Sequence, residues 1–299
     1  MKHRLIIALA TAFAFAFLPM EVSAQSQVTR NPKQEQKAKP KPKPTPVKQK
    51  AKPAVSSKTR SHSSSASSSV NLQVELNKLA NNMVYVSGGT FMMGANSGDA
   101  EASDIEKPRH QVHLSNFYIC KYEVTQALWK AVMGSNPSYF KGNNLPVENV
   151  SWYDCQQFIS KLNSLTGRNY RLPTEAEWEF AARGGNSSRG YKYSGSNYIG
   201  NVAWHTDNSG DKTHPVGTKS PNELGLYDMM GNVWEWCSDW YGSYDSSSQS
   251  NPAGSSSGSY HVNRGGSWLN DARDCRASYR GHFTPDFCGF HLGLRLARS

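Results

Sequence analysis

The hydrophobic pattern changes character twice along the chain. Leu5 to Leu18 is a continuous run of apolar and small residues, flanked by Lys2 and Arg4 before it and by Val22-Ser23-Ala24 after it. A positive start, an apolar stretch and small residues at its end mark residues 1–24 as a signal peptide, cleaved before Gln25. The run is too short for a bilayer span, and no later stretch is long and apolar enough, so no transmembrane span is expected. Residues 25–72 carry few large apolar groups. Lys39-Pro40-Lys41-Pro42-Lys43-Pro44 alternates a charge with a helix breaker, and Ser63 to Ser69 is nearly all serine. Such a segment cannot bury enough apolar surface to offset its ordering entropy, so it reads as a disordered tether, semi-rigid where Lys and Pro alternate.

From residue 73 onward the pattern is that of a folded domain reaching residue 299. Met83-Val84-Tyr85-Val86, Gly88-Gly89 and Thr90-Phe91-Met92-Met93-Gly94 predict strand, glycine turn, strand. Residues 95–109 are small, polar and charged, a loop. A strand is expected from His110 to Ile119. His110 and His113 lie at an odd spacing there and therefore on opposite faces, which argues against a metal pair. Thr125 to Val132 predicts a helix stopped by Gly134. Ser151 caps a second helix reaching about Leu165, with Asp154 as a capping-box variant and Trp152, Phe158, Ile159 and Leu162 on its apolar face. Thr174 and Glu177 form a full capping box for a third helix ending near Gly184-Gly185. Beyond Arg183 the chain is rich in Gly, Ser, Asn and Trp, and Val233–Trp236 and Phe290–Leu296 are the clearest strands. Helices and short strands in blocks predict an α+β domain with much irregular structure, held by buried Trp, disulfides or metal ions.

Charge sharpens the division. Residues 1–70 hold 13 Lys and Arg against 2 Asp and Glu; the rest of the chain holds 20 against 21. The formal net charge of +10 thus belongs to the leader and tether, while the domain is close to neutral. A nucleic-acid binder would need a basic face on the domain, so that class is set aside. All eight Trp fall between Trp129 and Trp268, and the five Cys are Cys120, Cys155, Cys237, Cys275 and Cys288. An odd count leaves at least one thiol unpaired in a monomer, and the connectivity stays open. No hydrolase elbow, phosphate loop or zinc spacing is present. Ser267 follows two glycines, but no His or Asp partner is placed by sequence.

Four segments carry the most specific information. They are Gly88-Gly89-Thr90-Phe91-Met92-Met93-Gly94, Arg171-Leu172-Pro173-Thr174-Glu175-Ala176-Glu177-Trp178-Glu179, Gly225 to Trp236 (Gly-Leu-Tyr-Asp-Met-Met-Gly-Asn-Val-Trp-Glu-Trp), and Arg264-Gly265-Gly266-Ser267-Trp268 with Gly293-Leu294-Arg295-Leu296 near the end. In order and spacing they resemble the formylglycine-generating enzymes, or sulfatase-modifying factors, over essentially all of residues 80–298. The resemblance implies a C-type-lectin-like α+β fold and structural calcium. Carried over by position, one calcium set falls on Asp228, Gly231, Val233 and Glu235. The other falls on Asn201 and Val202, with further ligands near Asn208 and Gly210. A glycine-punctuated turn entering a strand suits a hard cation, and Glu235 stands on the strand face opposite Trp234 and Trp236.

The family's enzymes oxidise a substrate cysteine with oxygen and with copper held by a C-x4-C pair just after Gly-Gly-Ser. Here Gly265-Gly266-Ser267 is followed by Asn270 at the first cysteine position and Cys275 at the second. An amide is a poor Cu(I) ligand, and one thiolate is not a two-coordinate site. Cys275 is the one candidate catalytic residue, its bland alternative being a structural disulfide or a buried thiol. The expectation is a calcium-stabilised binding or scaffold module, exported to the periplasm, cell envelope or exterior, with a protein or glycan partner. The alternative is a copper-dependent oxidase acting on a Cys-containing target peptide.

Overall fold

The computed structural model describes residues 62–299, so the expected signal peptide and most of the tether lie outside the described residues. The first helix, α1, covers His62–Asn81. The remaining elements follow as β1 Met83–Val86, β2 Gly89–Met93, β3 His110–Leu114, β4 Phe117–Cys120, α2 Gln126–Met133, α3 Trp152–Thr166, β5 Tyr170–Arg171, α4 Glu175–Ala182, α5 Ile199–Val202, β6 Ala203–Trp204, β7 Met230–Gly231, β8 Trp234–Trp240, β9 Gln249–Ser250, β10 His261–Arg264, β11 Arg280–Phe283, β12 Leu292–Leu294 and β13 Ala297–Arg298. This is the α+β architecture expected, with long irregular stretches between residues 183 and 299. No helix among the described residues is long and apolar enough to cross a membrane.

The expected tether is corrected at its end, because α1 starts inside it. Leu72, Leu76 and Leu79 recur at helical spacing, and all three pack with Met83 on the core formed by α2 and α3. That stripe, too short to stand out against the serine run, gives the helix its tertiary support. The strand expected from His110 to Ile119 is two strands. Ser115 N–H donates to Asn251 Oδ1 (2.7 Å) and Asn116 Oδ1 accepts from Gly88 N–H (2.8 Å), breaking the ladder between β3 and β4. Within β3, His110 is buried and His113 exposed, as their spacing requires.

The helix boundaries follow the sequence signals. Thr125 Oγ1 accepts from Leu128 N–H, and α2 stops at Gly134 in the left-handed region (φ 87°), where a side chain would be strained. Ser151 with Asp154, and Thr174 with Glu177, complete reciprocal capping boxes on α3 and α4. Trp129 and Phe158 then stack at 4.7 Å where α2 meets α3.

The central sheet has the order β11-β10-β8-β12. Its register places Trp236 beside Asn263 and Asn263 beside Gly281, and on the other face Glu235 beside Arg264 and Arg264 beside Arg280. One face packs Trp234, Trp236, Leu292 and Leu294 on the core of α2 and α3. The other carries charge beneath α4. Trp178 Nε1 donates to Glu235 (2.7 Å), Arg280 forms a fork on Glu175 (2.6 and 2.7 Å), and Arg264 donates to Glu179.

Arg295, just past β12, turns inward and makes a two-nitrogen contact with Glu235 (2.7 Å at Nη2) while its Nη1 donates to the Cys120 carbonyl (2.9 Å). Both side chains are fully buried, and Glu123 and Asp228 lie close enough for Arg295 to bear on their charge. Removing one member of a buried pair leaves an uncompensated charge, which costs about 3–5 kcal/mol. Arg295→Met should lower the unfolding free energy by about that amount in urea denaturation. A loss below about 1 kcal/mol would show that Glu235 does not depend on this guanidinium.

Candidate functional site

The segment after β10 holds the candidate chemistry. Cys275 is fully buried and presses against Gly266, where an added Cβ would sit 2.5 Å from its Sγ. Burial, with Asp274 adding to it, pushes its thiol up to about 12, so it stays protonated at neutral pH. Asn270 faces inward as a crosslink. Its Oδ1 accepts from Trp234 Nε1 (2.9 Å) and Ser267 Oγ (2.6 Å), and its Nδ2 donates to Asp274 (3.3 Å). All five cysteines are free thiols; Cys120, Cys155, Cys237 and Cys275 are buried and Cys288 is exposed. The donor set does not fit Cu(I). One protonated thiol and one committed amide stand where two thiolates would be needed.

An open cavity of about 360 Å³ adjoins Asn270. Trp234, Tyr279 and Phe283 supply rings, and Leu269, His291 and the buried Asn263 complete this part of the lining. Asn263 is 0% exposed, yet neither its Nδ2 nor its Oδ1 has a hydrogen-bond partner, and His291 Nδ1 is likewise buried and unpartnered. A buried amide of this kind costs about 1–3 kcal/mol and so asks for an explanation. Leu269 on the lining is 40% exposed, Phe290 and Tyr139 are 45% and 70% exposed, and the Tyr139 and Phe290 rings lie 5.9 Å apart. Sequence reasoning missed Asn263, Gly281 and His291. His-Val-Asn-Arg gives no clear strand period, and nothing in it says that the amide is left unbonded.

The residues expected on calcium are placed as follows. Glu235 stands opposite the Trp pair, and its oxygens meet Arg295 and Trp178. Asp228 Oδ2 accepts from Gly217 N–H (2.6 Å), whereas Oδ1 is buried with no partner. Gly231 and Val233 follow on the same segment: the Gly231 N–H donates to the Gly265 carbonyl and the Val233 N–H to Glu123. Burial raises Asp228 to about 6 and pushes Glu123 well above the carboxylate range, the charges of Asp228 and Glu235 adding to the latter. In the other set the Asn201 carbonyl accepts from Ser220 N–H, and Val202 ends α5, buried. Asn208 is consumed locally, accepting from His205 N–H and donating to the Ala203 carbonyl. Among the described residues no three His, Cys, Asp or Glu side chains converge as a metal cage. Asp228 alone of these residues presents an orphaned buried side-chain oxygen.

A second cavity, about 320 Å³, lies beside β8 and is lined by Glu175, Asp239, Tyr244 and Arg280. Its acids are committed: Glu175 to Arg280, and Asp239 to the Glu175 N–H (3.0 Å) and Ser238 Oγ (2.9 Å).

A two-faced sheet capped by α4, a Gly-Gly-Ser turn over a buried cysteine and a Trp-Glu-Trp strand define a sulfatase-modifying-factor type of domain. The chain belongs to that family: the model of the sulfatase-modifying factor enzyme 1-like domain matches residues 70–299. The chaperone protein LppX of Paenibacillus barcinonensis is 35% identical over 74% of this chain and 90% of its own. The formylglycine-generating enzyme of Thermomonospora curvata is 31% identical over 74% of this chain and 94% of its own. Among solved structures, Treponema denticola variable protein 1 superposes with a TM-score of 0.67 at 36% identity, covering 72% of this chain and 94% of that one.

The cysteine placement makes a direct prediction. In the native protein, brief iodoacetamide treatment followed by mass spectrometry should modify Cys288 alone, and all five thiols should react in denaturant. Native modification of Cys275 would show that its thiol is accessible and ionisable.

Proposed function

We propose that this chain is a non-oxidising member of its family, a binding module exported to the cell envelope or beyond, which engages its partner through the aromatic cavity beside Asn270. One observation carries the reading. The Asn270 amide is locked between Trp234, Ser267 and Asp274, and Cys275 beside it is a buried, protonated thiol, so copper-and-oxygen chemistry has no ligand pair. Identity does not choose between the readings, since a protein named as a chaperone and a formylglycine-generating enzyme match at 35% and 31%. Export rests on the Lys2 to Ala24 pattern. The partner is a protein or glycan met at the envelope. A Cys-containing target peptide belongs to the oxidase alternative.

The test uses purified protein with its thiols reduced, supplied with Cu(I) in air, and a peptide containing C-x-P-x-R. The expected result is no thiol-to-aldehyde mass change. Turnover that disappears in Cys275→Ser would overturn the binding-module reading.

Calcium in a structural role rests on Asp228. Its orphaned oxygen, with Glu123 and Glu235 nearby and a single guanidinium among them, leaves an excess of buried negative charge that a hard cation would offset. Calcium should raise the melting temperature relative to EDTA, and Asp228→Asn should remove the difference. An unchanged melting temperature in both would show that Arg295 alone carries this cluster.

A further inference from the structure

We propose that the cavity over Gly281 binds an uncharged pyranose ring, with Asn263 as the residue that recognises its hydroxyls. This rests on the reading of the cavity as the binding site and names the class of ligand it takes.

The place of the Asn263 amide has a specific cause. Gly281 on β11 stands beside Asn263 on β10, and a Cβ added at Gly281 would lie 2.1 Å from Asn263 Oδ1 and 3.1 Å from the Trp234 ring. Only glycine leaves room for the Asn263 amide on that face. The amide offers one donor and one acceptor a short distance apart, and both are unbonded within the protein. A ligand that satisfies them must carry an acceptor and a donor on neighbouring atoms, as two vicinal hydroxyls do. His291 Nδ1 adds a third unpartnered polar atom, and burial lowers this imidazole from its usual range, favouring its neutral form.

Charge and shape narrow the class. Arg280 is the sole charged group lining the cavity, and its guanidinium is taken by Glu175 and by the Ile105 and Gly242 carbonyls. A charged ligand would find no free counter-charge and would lose its hydration. Trp234, Tyr279 and Phe283 give the apolar faces against which the C–H side of a pyranose packs, while its hydroxyls reach the amide. About 360 Å³ accommodates one or two rings. An extended peptide would need a longer free backbone edge than β11 gives. That strand has four residues, the guanidinium of its first is bonded to the Ile105 carbonyl, and His282 is stacked on Tyr241 at 4.1 Å.

The test is titration of the full protein with methyl pyranosides of glucose, galactose, mannose and N-acetylglucosamine, read by tryptophan fluorescence. At least one should give a saturable change that disappears or weakens at least tenfold in two variants. Asn263→Leu removes the amide at similar volume. Leu269→Trp fills the cavity from an exposed position that no core packing depends on. Asn263→Leu should also raise the melting temperature by about 2–4 °C, because an unsatisfied buried amide is lost; a merely structural asparagine would lower it. No binding by any pyranoside, or binding unchanged in both variants, overturns the proposal. So does saturable binding of an uncharged peptide that the pyranosides do not displace. These outcomes leave the non-oxidising reading standing, since that falls only to turnover of the cysteine peptide.

Discussion

The domain depends on four arginines near its C-terminal end, each meeting a buried carboxylate from earlier in the chain. Arg264 meets Glu179, Arg276 meets Glu106 (2.7 Å), Arg280 meets Glu175 (2.6 Å) and Arg295 meets Glu235 (2.7 Å). All eight side chains are buried. Isolated buried charges cost several kcal/mol each, and their mutual attraction repays this only with good geometry and every remaining donor satisfied. Backbone carbonyls satisfy most of those donors, and Arg264 Nε alone among the nitrogens of these four guanidiniums is left without a hydrogen-bond partner. Arg264 donates to the Ala277, Ser278 and Tyr279 carbonyls, Arg276 to Glu101 and Arg273, and Arg280 to Ile105 and Gly242.

Those carbonyls belong to stretches with little or no ladder of their own. Residues 95–109 and 265–279 are mostly irregular, and irregular backbone inside a domain must find partners somewhere. The guanidinium, with five donors in a rigid fork, holds a carboxylate and several carbonyls at once. The arginines thereby take the place that disulfides hold in many small domains, and all five cysteines are free thiols. They also fix register. Glu235, Arg264 and Arg280 share a sheet face only in the observed pairing, and a one-residue slip in β10 would send Arg264 into the face that packs on α2 and α3.

Local signals in the sequence were legible where they rest on contacts between near neighbours. The caps at Ser151 and Thr174, the Gly134 stop and the opposite faces of His110 and His113 all follow from spacing. The alternation of Trp234, Glu235 and Trp236 was likewise readable, but not what Glu235 would meet, because Arg295 lies sixty residues further on. A carboxylate in a glycine-rich turn looks the same whether its partner is a cation or a guanidinium. The end of the tether was misread for a related reason. Leu72, Leu76 and Leu79 are a weak stripe until α2 and α3 supply the surface they cover. The cavity was illegible because its lining comes from segments far apart in the chain, around an amide that fits only beside Gly281 and whose lack of partners has no sequence signature.

The loop that carries Asn270 also stiffens the wall of the cavity beside it. With Asn270 in the first cysteine position, the turn gains three hydrogen bonds, to Trp234, Ser267 and Asp274, in place of a thiolate that must stay exposed to react. The Trp234 indole is thereby fixed at its Nε1, and its ring becomes a rigid wall rather than a mobile one. Preorganised walls reduce the ordering entropy lost when a ligand binds. Against this stands the Asn263 amide, left unsatisfied at a cost that packing alone would have eliminated with a leucine. Among the described residues Asn263 alone leaves both a buried side-chain donor and a buried side-chain acceptor unbonded, and it does so beside fixed rings, where a ligand can relieve the cost.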